Sequence, residues 1–395
     1  MARETLHVAQ ISFFADREGR SPAQLLDAWS TLGDVADAAC AAGLRVSVVQ
    51  ACARSERVER KGVCYYFLPF GEALGPAQSA ALSKLLDDLA PDILHVHGLD
   101  FPRDVLALSV IARTIPIILQ DHASRPPRIW RRASWRRASS VAAGVAFCAL
   151  EQARPFTAAG LIGPQTRVYE IPESTSRFTP GAREEARRVT GLQGDPGVLW
   201  VGHLDANKDP LTVLEGIGYA ARVLPGLRLY CCYGSAPLLP AVQDQIATNP
   251  DLRDRVQLLG RVPHERIEWL MRAADLFILG SHREGSGYSL IEALACGLPP
   301  VVTDIPSFRA LTGSGKVGML WPCKDSQAAS AAVQSIAGRL SPELRAAVRA
   351  HFERELSQLA LGRKLAAMYE DVLQRSGAAT AAVRRHIESR AIPTP

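Results

Sequence analysis

Two glutamates eight residues apart, Glu284 and Glu292, flank a glycine-bearing turn, Gly285-Ser286-Gly287, and the start of a helix-like run, Tyr288-Ser289-Leu290-Ile291. The apolar run Leu276 to Leu279 precedes them and reads as a strand. A strand, a glycine loop and a helix start in that order make an anion site, because the first N–H groups of a helix are unpaired and carry the positive end of its dipole. Glycines at 285 and 287 let a ligand approach the backbone closely. The carboxylates suit the hydroxyls of a sugar or a ribose. Taken as an isolated pair, the glutamates read more simply as a helix cap and a surface charge.

The elements that must position such a loop follow from the apolar pattern. Short continuous runs rich in Val, Ile and Leu alternate with helix-like stretches along the chain: His7–Phe13, Arg45–Gln50, Asp92–His97, Pro116–Gln120 and Val141–Ala149 in the first half, Val198–Val201, Arg228–Cys232, Val256–Leu259, Leu276–Leu279 and Pro300–Thr303 in the second. Strands without alternation are covered on both faces, which points to βαβ units and parallel sheets. Between the halves, residues 173–196 bring Pro180, Gly181, Gly191, Gly194 and Pro196 around a charged helix, Arg183–Thr190. The expected organisation is an N-terminal domain at 1–180, a linker at 181–196, a C-terminal domain at 197–355 and a helical tail at 356–395 packing back on the first domain. Two doubly wound α/β domains would face each other across a cleft, with ligands at the carboxyl ends of the strands.

Composition narrows the classes. The 395 residues carry a net charge of +5, with 45 basic and 40 acidic side chains, too mild a balance to indicate nucleic acid. The eight cysteines are scattered and form no CxxC pair, so zinc is not expected and free thiols are. No window approaches the ~18–20 apolar residues of a membrane span. Met1 to Glu4 lacks the apolar core of a secretory signal, so a soluble, cytoplasmic chain is expected.

The segment around the two glutamates resembles the E-x7-E signature of family four of the retaining glycosyltransferases, whose two facing Rossmann-like domains form the GT-B fold. Ala274-Asp275-Leu276-Phe277 before it and Cys296-Gly297-Leu298-Pro299-Pro300-Val301-Val302 after it match the same family. Val201-Gly202-His203-Leu204-Asp205-Ala206-Asn207-Lys208-Asp209-Pro210 is similar to its phosphate loop, and Pro91-Asp92-Ile93-Leu94-His95-Val96-His97-Gly98 to its HxH strand end. The resemblance implies that Glu292 holds the ribose of a nucleotide-sugar and Glu284 the hydroxyls of its sugar. Amides from Gly285, Ser286, Gly287, Tyr288, Ser289 and Leu290, with Gly202, would contact sugar and diphosphate. Lys208, assisted by His203, would neutralise the leaving diphosphate. His122 would contact the donor sugar, and His97 would line the site. His95 is expected on the opposite face of its strand, in the core. No metal and no cofactor beyond the nucleotide-sugar substrate are implied. Retention would proceed by front-face attack, the leaving phosphate taking the acceptor's proton.

Three positions depart from the family pattern. His203 stands where an arginine is usual, Phe13-Phe14-Ala15-Asp16 follows the first strand in place of a glycine pair, and Glu173-Ser174 replaces an Asn-Gly. Between Arg125 and Arg137 lie six arginines, no acid, and Trp130 and Trp135. Read as one helix, Arg128, Arg131, Arg132 and Arg136 share a face opposite Ile129, Trp130 and Ala133. That face suits either an anionic membrane surface, placing the chain on the inner side of a membrane, or plain solvent. Gly313-Ser314-Gly315-Lys316 lacks the Ser or Thr and the first glycine of a P-loop, so a nucleoside-triphosphatase is not expected. Two rivals to a transferase remain. A non-hydrolysing nucleotide-sugar epimerase would isomerise donor alone, and a non-catalytic nucleotide-sugar-binding protein would release no sugar.

Overall fold

The computed structural model describes residues 5–16, 18–70, 73–164 and 166–377. The chain folds as two compact units, residues 175–357 forming one and the residues on either side of them forming the other. The first unit carries one sheet of eight strands: β1 (His7–Ser12), β2 (Arg45–Ala51), β3 (Glu56–Arg60), β4 (Val63–Leu68), β5 (Ile93–His97), β6 (Ile117–Gln120), β7 (Gly144–Phe147) and β8 (Arg167–Glu170). Their order is β3-β4-β2-β1-β5-β6-β7-β8, and every pairing is parallel except β3 with β4. The second unit carries β9 (Gly197–Val201), β10 (Arg228–Cys232), β11 (Val256–Gly260), β12 (Leu276–Leu279), β13 (Pro300–Thr303) and β14 (Met319–Trp321) in the order β11-β10-β9-β12-β13-β14, all parallel. Each sheet is a doubly wound α/β layer, as the apolar runs required.

Strand order reverses beside β1 in one sheet and beside β9 in the other. Ligands of open α/β sheets bind at such switch points, outside the carboxyl ends of the strands. The loops after β1 and β5, and those after β9 and β12, are therefore the places to look.

The expected boundaries need correction. Thr175 to Pro180 belong to the second unit, and residues 181–196 are no free linker. Arg187 of the helix Arg183–Thr190 donates to Asp275 Oδ2 at 2.7 Å, Arg183 pairs with Asp275 Oδ1 at 2.9 Å, and Ala186 is buried. A charge buried at Asp275 needs these partners, so the helix is packed where the Pro and Gly content suggested a hinge. Leu356 and Ser357 close the second unit, whereas the helix Gln358–Ser376 is part of the first. Leu361, Leu365, Met368, Tyr369 and Val372 join Val35, Ala38 and Ala39 in one core. Residues 378–395 of the expected tail lie outside the described residues.

After β1 the chain forms two short helices, Pro22–Ala28 and Ser30–Ala41, broken at Trp29. The hairpin β3–β4 escaped the sequence reading because it edges the sheet, with Glu56–Arg60 almost wholly exposed and Val63–Leu68 alternating. Gly313, with φ of +61°, ends the helix Pro306–Thr312 instead of opening one, which settles the geometry of the P-loop-like tetrad.

Candidate functional site

In the second unit the loop after β9 and the loop after β12 are stitched together. Asp205 Oδ1 accepts the amides of Asn207 and Lys208, each at 2.9 Å, a local turn that short acidic side chains favour. Asn207 then bridges the loops, its Nδ2 donating to Arg283 O at 2.9 Å and its carbonyl accepting from His282 N at 2.7 Å. Asp209 caps the helix Pro210–Val223 from a left-handed conformation (φ 51°), and its Oδ2 meets His282 Nε2 at 2.9 Å. Such close approach requires a glycine at 280, where a Cβ would stand 2.9 Å from Lys208 O and 2.8 Å from a Val213 methyl.

The outcome is a direct ion pair between Lys208 Nζ and Glu284 Oε1. The two side chains are only 16% and 13% exposed, so the pairing offsets the cost of burying both charges. Gly287, at φ +83°, forms the N-cap of the helix Tyr288–Ala295, and a Cβ there would lie 2.7 Å from Phe308. Gly285, Ser286 and Gly287 are buried, while Tyr288 is exposed and Ser289 half-buried. Leu290 belongs to the core, and its amide donates to Gly287 O at 3.0 Å. Glu292 lies one turn into the helix, where Oε1 meets His264 Nε2 at 2.5 Å. The His264 ring packs on Phe178 with centroids 4.8 Å apart. Gly202 donates to Cys232 O, and exposed His203 accepts the Ser235 amide on Nδ1 at 3.1 Å. His203 thereby ties the loop after β9 to that after β10.

The first unit assembles a different site. His97, at the end of β5, meets His122 Nε2 through Nδ1 at 3.1 Å, and His122 Nδ1 meets Glu173 Oε2 at 3.1 Å. His95 lies on the same face as His97, not the opposite one: their rings are 4.5 Å apart, as a two-residue strand period demands. It is fully buried, with Nδ1 2.8 Å from Tyr369 Oη. Burial, aided by the nearby charge of His122, pushes the His95 pKa down to about 3. Burial, with His95 and His122 beside it, also holds His97 well below the ordinary range. Burial alone would depress His122 too, but the hydrogen bond and charge of Glu173, with Asp121 adding to them, raise it above its ordinary value. Asp121 itself is pushed up to about 6, mainly by burial and partly by Glu173. The raised pKa of His122 favours its protonated form, in which its two N–H groups would serve Glu173 and His97.

These histidines border a cavity of about 530 Å³ that runs along the carboxyl ends of β1 and β5. Phe14 and Trp29, with centroids 5.6 Å apart, form one wall, while Gln50 and Asp100 also line it.

The arginine segment is not one amphipathic helix. A 3-10 turn at Ile129–Arg131 precedes the helix Arg132–Ser140. Ile129 and Trp130 are 74% and 70% exposed, alongside exposed Arg128, Arg131 and Arg136, with Arg132 half-buried. Trp135 instead packs in the core against Phe156. Among the described residues no helix is long and apolar enough to cross a membrane, and no group of three or more His, Cys, Asp or Glu is placed to hold a metal ion.

The family model for glycosyl transferases group 1 matches residues 182–348, and the model for glycosyltransferase family 4 matches residues 29–156. A GDP-mannose:cellobiosyl-diphosphopolyprenol alpha-mannosyltransferase of Xanthomonas campestris is 28% identical over 255 residues, 62% of this chain and 64% of that protein. A D-inositol 3-phosphate glycosyltransferase of Geodermatophilus obscurus is 33% identical over 174 residues, 41% of this chain and 38% of that one. The chain therefore spans less than two thirds of the length of both. Among solved structures, a sucrose-phosphate synthase of Thermosynechococcus elongatus superposes with a TM-score of 0.68 at 17% identity, covering 94% of this chain and all of the other. An Anabaena protein, HepE, crystallised with UDP and glucose, gives 0.63 at 18% identity, covering 93% of this chain and 100% of that one. Both likenesses concern the fold.

Proposed function

The chain belongs to the family-four glycosyltransferases of group 1 and has the GT-B fold, and from that premise we propose that it is a retaining, metal-independent transferase moving a sugar from a nucleotide-sugar to an acceptor alcohol. The observation that carries this is the meeting of Lys208 with Glu284 over a glycine-capped helix start. A nucleotide-sugar offers a partner for each charge: the diphosphate for Lys208 and the helix N–H groups, the sugar hydroxyls for Glu284. Glu292, released from His264, holds the ribose. Leaving-group departure builds negative charge on the diphosphate, and a preorganised cation with oriented amides stabilises it at the moment it forms.

In the reaction, the acceptor oxygen bonds to the anomeric carbon as the bond to the diphosphate breaks. The acceptor's proton passes to a leaving phosphate oxygen, so no separate base is needed. His97 and His122 of the first unit line its cavity, where His122 would contact the donor sugar. The exposed Ile129, Trp130 and their arginines suit an anionic lipid surface, where such an acceptor could be carried. Incubation with a panel of nucleotide-sugars, with and without acceptor alcohols, tests the reading by release of nucleoside diphosphate. Acceptor-dependent release supports it. Isomerised donor in the absence of acceptor would instead mark an epimerase, and tight nucleotide binding without release a binding protein.

A further inference from the structure

The cavity of the first unit has a chemistry of its own. Its volume of about 530 Å³ falls within the ~300–1,000 Å³ typical of small-molecule sites. Phe14 is 53% exposed and leans on half-buried Trp29, so two aromatic faces that could have been buried are presented at the cavity. Deeper in, Gln50 is 1% exposed. Its Nε2 donates to Phe14 O at 2.6 Å and Ala51 O at 2.9 Å, which fixes the amide and leaves Oε1 without a hydrogen-bond partner. A buried acceptor without a partner costs about 1–3 kcal/mol, and a ligand hydroxyl would relieve it.

The charges are equally informative. Asp100 and Glu173 line the cavity, and among its described lining residues there is no lysine or arginine. His122 is hydrogen-bonded to Glu173 at 3.1 Å. A phosphate entering this space would meet two carboxylates and no lysine or arginine, whereas an uncharged hydroxyl meets acceptors at Gln50 and Asp100 and an imidazole at His97. Aromatic walls favour a ring with an apolar face.

We propose that this cavity takes an uncharged hydroxylated ring, a sugar or an aryl glycoside, stacked on Phe14 and Trp29 with a hydroxyl on Gln50 Oε1, and that it rejects phosphorylated polyols. The identification of this ring as the acceptor rests on the transferase reading above; the binding itself does not.

Saturation-transfer NMR on the full chain with phenyl β-glucoside and with myo-inositol phosphate as probes tests it. The glycoside is expected to bind, with its ring protons saturated, at least about tenfold more tightly than the inositol phosphate. Trp29→Ala should weaken it about tenfold, as loss of an aromatic anchor does, and Trp29→Phe should restore most of the affinity. Should Trp29→Ala fail to fold, Phe14→Ala removes part of the same wall from an exposed position. Equal or tighter binding of the phosphate, no glycoside binding at millimolar concentration, or unchanged affinity in the folded wall variants would each overturn the proposal. Nucleoside diphosphate binding measured on the same samples separates the two readings. If it is absent while the glycoside binds, the transferase reading fails and the cavity assignment stands.

Discussion

The two candidate sites are built on opposite principles. The site of the second unit consists of charges and backbone amides on two loops, held by hydrogen bonds within and between residues 203–209 and 281–287. That of the first unit places histidines at or beyond strand ends, buried or half-buried, beside a cavity whose described lining has two carboxylates and no lysine or arginine, with partners from distant segments. The difference suits what each is proposed to recognise. A diphosphate is met by compact, preorganised positive charge. A neutral ring is met by walls, fixed tautomers and a few oriented polar atoms.

Lys208→Ala should break the comparison most severely. Losing a charge that acts chiefly in the transition state lowers turnover more than it weakens binding, on the order of 10²–10³-fold. The variant also removes the ion-pair partner of half-buried Glu284, so the unfolding free energy should fall by about 1–3 kcal/mol and recover in part in the Lys208→Ala/Glu284→Ala double variant. Nucleoside diphosphate release and denaturant unfolding measure the two effects. Full turnover in the folded single variant would refute the phosphate-loop assignment.

Glu292→Ala should weaken nucleoside diphosphate binding by ~1.5–3 kcal/mol by calorimetry, the worth of hydrogen bonds to a charged group. His264→Ala, which removes the carboxylate's resting partner, should leave binding equal or tighter. A matching loss in both variants would show that His264 touches the ligand itself.

On the surface, replacing Arg131, Arg132 and Arg136 with glutamine should cost ~1 kcal/mol each in co-sedimentation with anionic vesicles at modest salt. Neutral vesicles should show no such dependence. If the parent protein never sediments with anionic lipid, the segment is a solvated face.

The subtlest effect concerns pH in the first unit. The raised pKa of His122 contributes stability that is full below its ordinary 6.5 and is lost as pH climbs through the folded value. Asp121, raised from 3.8 to about 6, also favours the folded state at low pH, its contribution declining between those values. Glu173→Gln should remove the His122 contribution, lower its NMR titration midpoint and leave nucleotide affinity of the second unit unchanged. An unmoved midpoint would mean that Glu173 is not what holds the proton.

The second site was far more legible than the first. Its parts are contiguous in sequence, and strands such as Arg228–Cys232 and Leu276–Leu279 stand where their apolar runs placed them. What could not be read there was the pairing of Lys208 with Glu284 across 76 positions, or of His264 with Glu292. Gly280 carried a signal that went unused, since a glycine directly after a buried strand marks a close backbone approach. In the first unit, His122 and His97 were identified singly, but Glu173 was noticed only as a departure from a motif. Its role depends on a contact 51 residues away, and that of Tyr369 on one 274 residues away. Edge position hid the hairpin β3–β4, and the apparent arginine stripe presumed one helix where a 3-10 turn comes first.

The return of the helix Gln358–Ser376 to the first unit has a consequence for the order of events during synthesis. The second unit is an insertion: all of it leaves the ribosome before the first unit owns its complete set of residues. Domains generally fold as units while the chain emerges. The second unit can therefore close early, whereas the first waits with Val35, Ala38 and Ala39 uncovered and His95 without its tyrosine. A chain stopped after Ser357 should accordingly retain nucleotide binding while its first 174 residues stay protease-sensitive. The helix Gln358–Ser376 acts as the clasp that completes the first unit's core, so that unit can close only after the whole of the second has been made.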